Sequence, residues 1–172
     1  MRLARRLVVL LLSLLATSGL LVAPASAAGD DYPYRTSTTG ANDRWGFTQR
    51  QCVSFVAWRE AQARHSLNNA TQHWGSALAW DETAARLGFR VSTRPVVGAI
   101  AQWNAGERSP WWASGSATAN GTLTAGPYGH VGWVKQVNGD GSVVVEQYNM
   151  TGSRSYSASR LRAPRYIYYG VG

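Results

Sequence analysis

The chain has 172 residues, with 17 lysine and arginine residues against nine acidic ones and a formal net charge of +8. This length allows one domain with a proper hydrophobic core and is too short for two domains of ordinary size. The positive charge favours an anionic partner, but no dense basic run is present, so we expect no nucleic-acid partner.

The N-terminus has the pattern of a secretory signal peptide. A basic start precedes an apolar run over residues 7–22, and Ala25-Ser26-Ala27 provides the small residues at which signal peptidase cuts. We therefore predict a signal peptide over 1–27 and a protein that is secreted, extracellular or associated with the cell wall. No later run is long enough for a membrane span, so none is expected after cleavage, and we expect a monomer. Residues 28–44 are predicted to form an extended lead-in.

Two helices are predicted in the first half of the domain. Thr48-Gln49-Arg50-Gln51 has the form of a capping box, which predicts that a helix starts at Thr48. Residues 52–58 are apolar on nearly every side, so this helix should lie in the core with Cys52 in its first turn. The spacing of apolar residues over 74–87 predicts a second helix that ends at Gly88.

Strands are predicted in the second half. Their order after the helices favours an α+β fold in which N-terminal helices pack on an antiparallel β-sheet. The predicted strands begin after Gly88, cover residues 95–103, form a hairpin from 130–137 and 142–149 about Asn138-Gly139-Asp140-Gly141, and end with 166–169.

The long segment over residues 104–128 is predicted to be a loop. Its length suggests a binding role for Trp111 and Trp112, which we predict to contact the substrate. The alternative is that both tryptophans only seal the domain.

Cys52 is the single cysteine, so it cannot form an internal disulfide bond. It could be a small buried hydrophobic residue, but a position in the first turn of a helix favours a nucleophile. The free amides there lower the pKa of a thiol and can receive an oxyanion. The base must be a histidine. His65 and His73 lie in polar stretches, whereas His130 begins a predicted strand directly after Gly129.

A catalytic imidazole also needs a partner on its other nitrogen. With a tight turn centred on Gly139-Asp140, His130 faces Asn149, and Gln147 shares that face of the sheet. Glu146 then points to the opposite face, unless a bulge in its strand reverses the alternation. Asn149, Gln147 and Glu146 are therefore the three candidates for the orienting residue.

Four motifs occur in order along the chain: Gln51-Cys52-Val53-Ser54-Phe55, Asn69-Ala70 followed by Trp74, Val91 to Ala101, and Gly129-His130-Val131 followed by Asn149. They resemble the nucleophile motif, the Asn-Ala and Trp signature, the Val-Pro-Gly-Ile-Ala segment and the histidine hairpin of the CHAP family. CHAP proteins are cysteine, histidine-dependent amidohydrolases and peptidases.

The resemblance implies that residues 45–172 form a CHAP-like catalytic domain with a papain-like fold. It implies a thioester acyl-enzyme and hydrolysis of peptidoglycan, either between N-acetylmuramic acid and L-alanine or within the stem and bridge peptides. Cys52 would be the nucleophile and His130 the base, and Gln51 in the nucleophile motif is expected to contact the substrate.

The third catalytic position departs from the family. Members commonly have Glu-x-Asn where this chain has Gln147-Tyr148-Asn149, and the acidic residue here is Glu146. Some relatives bind calcium through closely spaced aspartates before the nucleophile. Asp30, Asp31 and Asp43 lack that spacing, so we expect no metal and no cofactor.

Two other functions are weighed against this one. A non-catalytic cell-wall-binding module is supported by the eight tryptophans and eight tyrosines, which could stack on sugars. Another papain-like wall hydrolase with a Cys-His-His site would need a histidine shortly after His130, and the sequence has none.

Overall fold

The computed structural model describes residues 29–172, so the predicted signal peptide over 1–27 lies outside the described residues. Within this range the helices are α1 (Cys52–Gln62), α2 (Asn69–Gln72) and α3 (Trp80–Arg86), with a 3₁₀ turn at Ala77–Ala79 before α3. None of these helices has the length and apolar character needed to cross a membrane.

The second half of the chain forms a single curled sheet of eight strands, in the order β1-β8-β2-β5-β6-β7-β3-β4. All neighbouring strands are antiparallel. This confirms the predicted α+β fold with N-terminal helices packed on an antiparallel sheet. The strands are β1 (Arg90–Ser92), β2 (Ile100–Trp103), β3 (Arg108–Trp112), β4 (Gly121–Thr124), β5 (His130–Val137), β6 (Val143–Tyr148), β7 (Tyr156–Leu161) and β8 (Arg165–Tyr168).

The two faces of the sheet bury different cores. On one face, Val131 of β5 and Ile100 of β2 pack with Val56 and Ala57 of α1. On the other face, the strands pack against one another around Trp103. Because side chains alternate along a strand, consecutive residues of β5 enter different cores. This alternation turns His130 away from the core that holds Val131.

Helix α1 is largely buried, as predicted, but its start differs from the prediction. The helix begins at Cys52, its N-cap is Gln51, and no side chain caps it. The capping box at Thr48 does not form because Arg50 has a left-handed backbone, with φ of 61°. A residue in that conformation cannot continue a helix, so Thr48 to Gln51 form a turn. Cys52 is therefore the first helical residue.

The second predicted helix is shorter than the range of its apolar pattern, residues 74–87. Residues 77–79 form the 3₁₀ turn and α3 covers only Trp80–Arg86, since the backbone before it is irregular. Its predicted end is correct. Gly88 has φ of 84°, its N–H donates to Ala85 O at 3.1 Å, and Phe89 N–H donates to Ala84 O at 2.8 Å. These two bonds make a Schellman motif, which satisfies the last carbonyl groups of the helix.

The predicted hairpin is formed by β5 and β6, but its turn is one residue longer than expected. Asn138 and Ser142 close a loop over 139–141, and Val137 pairs with Val143. The register then shifts between Val134 and Gln136, so that Trp133 pairs with Glu146. This bulge lies in β5 and compensates for the longer turn. The predicted faces of Gln147 and Glu146 are therefore correct although the predicted turn was not.

The segment over residues 104–128 is not the loop that its composition predicted. Strands β3 and β4 pair within it, and β3 extends the sheet beside β7. The small and polar residues there occupy a hairpin at the edge of the sheet, where partial exposure removes the apolar alternation that would have predicted strands.

The lead-in packs on the domain through Tyr32, which is completely buried among Phe55, Trp58 and Tyr148. Its hydroxyl is hydrogen-bonded to Ser54, and Ser54 donates to Asp43. Residues 29–44 are thus tied to the first two turns of α1.

Gly129 allows a close approach that no other residue can make. It has φ of 72°, and an added Cβ would lie 2.5 Å from Leu78 N and 2.6 Å from Trp103 O.

We expect Gly129→Ala to lower the free energy of unfolding by at least about 2 kcal/mol, because the cost of a strained backbone adds to the cost of overlap with fixed backbone atoms. The measurement is thermal and urea unfolding. Gly126→Ala is the matched control, since its Cβ would meet nothing within 4 Å. Equal stability of the two variants would contradict this account.

Candidate active site

Cys52 lies at the N-terminus of α1 and lines a cavity of about 710 Å³. Burial is the largest influence on its thiol and raises the pKa. Backbone hydrogen bonds from Val131, Val53 and Cys52 itself act in the opposite direction, because N–H donors stabilise the thiolate. Desolvation prevails, so the resting thiol is neutral. The contact with Val131 brings the sulfur to the start of β5.

His130 is the first residue of β5, is 3% exposed and lines the same cavity. Burial lowers the pKa of its imidazole to about 4, and the hydrogen bond with Gln147 only partly opposes this. The imidazole is therefore neutral near pH 7. The ring also packs near the indole of Trp103, with ring centres 5.6 Å apart.

Gln147 is the candidate orienting residue that contacts the imidazole. Its Oε1 lies 3.0 Å from His130 Nε2. An amide oxygen only accepts, so this contact places the proton of neutral His130 on Nε2 and leaves Nδ1 free to accept a proton. Gln147 is fully buried, and its Nε2 has no hydrogen-bond partner among the described residues. Its amide is thus held by packing and by the imidazole.

Asn149 lies on the cavity wall but makes a different contact. Its Nδ2 donates to Gln51 Oε1 at 2.7 Å, and its Oδ1 accepts from Arg154 N at 2.8 Å. The backbone of Asn149 is left-handed, with φ of 60°, so the chain turns here at the end of β6. Asn149 therefore fixes the residue that precedes the nucleophile.

Glu146 faces the opposite side of the sheet, away from His130. Its carboxylate contacts Arg59 Nε at 2.9 Å and Lys135 Nζ at 2.9 Å, and it accepts a hydrogen bond from Tyr156. These contacts join α1 to β5, β6 and β7. A carboxylate that is 2% exposed and paired in this way holds elements together.

The other candidates lie elsewhere. Trp111 packs at the edge of the second core, and Trp112 lies beside Arg160, 4.9 Å from its guanidinium carbon to the ring centre. Neither tryptophan lines the cavity. His65 Nδ1 lies 2.7 Å from Glu60 Oε2 near the end of α1, and His73 follows α2. Of the three histidines, only His130 lines the cavity.

The cavity wall is partly polar and partly apolar, and it is uncharged. Among residues 29–172, no aspartate, glutamate, lysine or arginine lines it. Sequence reasoning missed Tyr128, whose side chain is 72% exposed on this wall, and Asn42 and Ser76, which lack a recognisable pattern. Within residues 29–172, no group of three or more His, Cys, Asp or Glu side chains converges in a way that could hold a metal ion.

Two relatives in Staphylococcus match most of this chain. It is 33% identical over 135 residues to the probable autolysin SsaALP of Staphylococcus aureus, covering 74% of this chain and 42% of that protein. It is 31% identical over 130 residues to the N-acetylmuramoyl-L-alanine amidase sle1 of Staphylococcus haemolyticus, covering 72% of this chain and 31% of the relative. The chain thus spans less than half the length of these relatives.

A solved structure of an N-acetylmuramoyl-L-alanine amidase from Staphylococcus aureus has the same arrangement of helices and sheet. The TM-score is 0.56 at 26% identity, over 80% of this chain and 36% of that one, in agreement with the predicted papain-like α+β fold. Residues 42–149, which include the nucleophile motif and the histidine hairpin, match the CHAP domain. The chain therefore belongs to the CHAP domain family.

Proposed function

We propose that this protein hydrolyses an amide bond of peptidoglycan through an acyl-enzyme on Cys52. The observation that carries the proposal is the convergence of Cys52, at a helix N-terminus, and His130, held by Gln147, on one cavity. Relatives named autolysin and N-acetylmuramoyl-L-alanine amidase support peptidoglycan as the substrate. The protein acts outside the cytoplasm on the cell wall, after removal of residues 1–27.

The first chemical step transfers a proton during attack. Since thiol and imidazole are both neutral at rest, His130 Nδ1 takes the thiol proton as Sγ bonds to the substrate carbonyl carbon. The carbonyl π pair moves to oxygen and forms a tetrahedral oxyanion. When it collapses, the C–N bond breaks and the imidazolium gives its proton to the leaving amine. A thioester remains on Cys52.

The second step regenerates the thiol. His130 Nδ1 removes a proton from water as the water oxygen attacks the thioester carbonyl, and collapse of this intermediate breaks the C–S bond. The thiolate leaves and recovers the proton from the imidazolium. The carboxylic acid product departs.

The oxyanion needs donors that are already in place. The backbone N–H of Cys52, at the start of α1, is one. The side-chain Nε2 of Gln51 is the second, because Asn149 holds its Oε1 and thereby turns the amino group away from that contact. Asn149 is accordingly a positioning residue that acts through Gln51.

Gln147 orients the imidazole without supplying charge. A carboxylate at this position would stabilise the imidazolium and raise its pKa, whereas a neutral amide fixes only tautomer and ring direction. The low pKa of His130 agrees with an uncharged cavity wall. This chain therefore uses a neutral Cys-His-Gln arrangement.

The nucleophile is tested by Cys52→Ala. We expect release of new amino groups from purified peptidoglycan to fall by at least about 10⁴-fold, because no acyl-enzyme can form. The measurement is amine release, with mass analysis of the fragments to identify the bond. Equal release from wild type and variant would refute the enzyme, and retained binding without release by wild type would support the wall-binding module.

The pH dependence of kcat/KM tests the neutral imidazole. Protonated His130 cannot act as base, so activity is lost as pH falls through its pKa. With that pKa near 4, the acid limb lies well below pH 6.5. We expect Gln147→Glu to move the limb up by about one to three units, since the carboxylate favours the imidazolium. Gln136→Glu adds the same charge on the exposed part of the hairpin and should leave the limb in place. An unmoved limb in Gln147→Glu would contradict the role of Gln147.

Substitutions of Glu146, Gln147 and Asn149 should differ in whether they change kcat or the free energy of unfolding. Gln147→Ala and Asn149→Ala should lower kcat by about 10- to 100-fold, because one loosens the imidazole and the other loosens Gln51. Glu146→Ala should leave kcat of the folded protein within about threefold but lower the free energy of unfolding by about 3–5 kcal/mol, because Arg59 and Lys135 lose their partner. Steady-state kinetics and urea unfolding decide this. A larger kcat loss in Glu146→Ala would contradict the assignment.

A further inference from the structure

A second cavity, of about 500 Å³, shares no lining residue with the active-site cavity. Three aromatic residues line it, Tyr34, Trp45 and Trp58, together with Arg44 and Gln62. We call these five residues the aromatic groove. Aromatic walls with a few polar groups are typical of sites for ligands that have both an apolar face and hydrogen-bonding groups.

The polar groups of the groove are left without partners. Trp58 is only 6% exposed. Its indole N–H is open to solvent and has no hydrogen-bond partner in residues 29–172. The Tyr34 hydroxyl, the Arg44 guanidinium and the Gln62 amide likewise make no hydrogen bond or ion pair with the described part of the chain. Arg44 and Gln62 are exposed and the indole N–H is open to solvent, so a ligand in the groove can replace water as their hydrogen-bond partner.

The groove walls are held in place. Tyr34 and Trp45 meet edge to face with ring centres 6.4 Å apart, and the Arg44 guanidinium carbon lies 5.7 Å from the centre of the Trp45 ring. The buried carboxylate of Asp43 accepts hydrogen bonds from Trp45 N at 2.8 Å and Phe47 N at 2.9 Å. Binding therefore requires little ordering of this loop.

One short loop serves both cavities. Asn42, Gly46 and Phe47 line the active-site cavity, whereas Arg44 and Trp45 line the aromatic groove. The two cavities therefore flank the same loop, over residues 42–47. The groove wall contains one cation and no carboxylate, so its ligand presents acceptors and no positive charge.

We propose that the aromatic groove binds a 2-acetamido sugar of the peptidoglycan glycan strand. The choice of a glycan rests on the proposed function. The C–H face of a pyranose ring packs on the Trp45 ring, and Tyr34, whose ring is nearly perpendicular to that of Trp45, contacts the edge of the sugar. Its hydroxyl and acetamido oxygens accept hydrogen bonds from the Trp58 indole, Arg44 and Gln62. This site retains the enzyme on the wall while the catalytic cavity engages the amide bond.

The direct test is binding of a β-1,4-linked tetramer of N-acetylglucosamine, which carries no peptide. In ¹⁵N spectra of the Cys52→Ala protein, we expect the indole signals of Trp45 and Trp58 to shift on titration. Arg44→Gln should weaken the affinity at least fivefold and Trp45→Ala at least tenfold. Arg64→Gln is the matched control, because it removes one charge from an exposed arginine just past α1 and outside the groove. Its affinity should match the parent within twofold.

Hydrolysis assays separate this proposal from the proposed function. In the active protein, Arg44→Gln should reduce the release of amino groups from insoluble sacculi at least threefold and leave cleavage of a short soluble muropeptide unchanged.

If wild type cleaves sacculi but the tetramer shifts neither indole signal, the groove proposal fails and the hydrolase proposal stands. If the tetramer binds and no substrate is cleaved, the hydrolase fails and the groove stands. Loss of self-association in Arg44→Gln, without tetramer binding, would make the groove an interface between copies and overturn the proposal. Arg44→Gln keeps the test valid should Trp45→Ala fail to fold.

Discussion

The packing of α1 against the start of β5 is the constraint on which the site depends. Cys52 and His130 belong to distant parts of the chain and line one cavity because Val56 and Ala57 of α1 bury the side chain of Val131. The period of two along β5 then turns His130 away from that core and toward the cavity. The same packing brings the Cys52 thiol to the backbone of Val131. Loss of this contact would separate Cys52 from His130.

Burial favours the uncharged form of both Cys52 and His130. It raises the pKa of the thiol and lowers that of the imidazole, so each change favours the uncharged form. No carboxylate lines the cavity to reverse this for His130. The one glutamate on β6 is turned to the far face, where Arg59 and Lys135 require its charge. Adjacent residues of one strand thus carry a carboxylate that pairs with Arg59 and Lys135 and an amide that contacts His130.

The lead-in and the loop after it contribute residues to both cavities. Tyr32, Ser54 and Asp43 form a buried hydrogen-bonded chain that joins this segment to α1. Asp43 also fixes the backbone of the loop whose residues divide between the two cavities. The active-site cavity and the aromatic groove therefore share one loop that Asp43 holds in place.

The sequence by itself determined the fold class, the helix that carries Cys52 and the β5–β6 hairpin, since these follow from the local periodicity of apolar residues and from turn chemistry. The predicted face of Gln147 was correct because the bulge in β5 offsets the longer turn. It did not determine the start of α1, because a left-handed Arg50 overrides the capping pattern. Nor did it predict β3 and β4, whose half-exposed residues have no clear alternation. Only the tertiary structure shows which of Gln147, Asn149 and Glu146 contacts the imidazole, because the bulge in β5 and the partners on each face are contacts between segments far apart in the chain. The aromatic groove likewise depends on tertiary structure, since its walls come from the lead-in, the loop at Arg44 and Trp45, and α1, and no local pattern joins them.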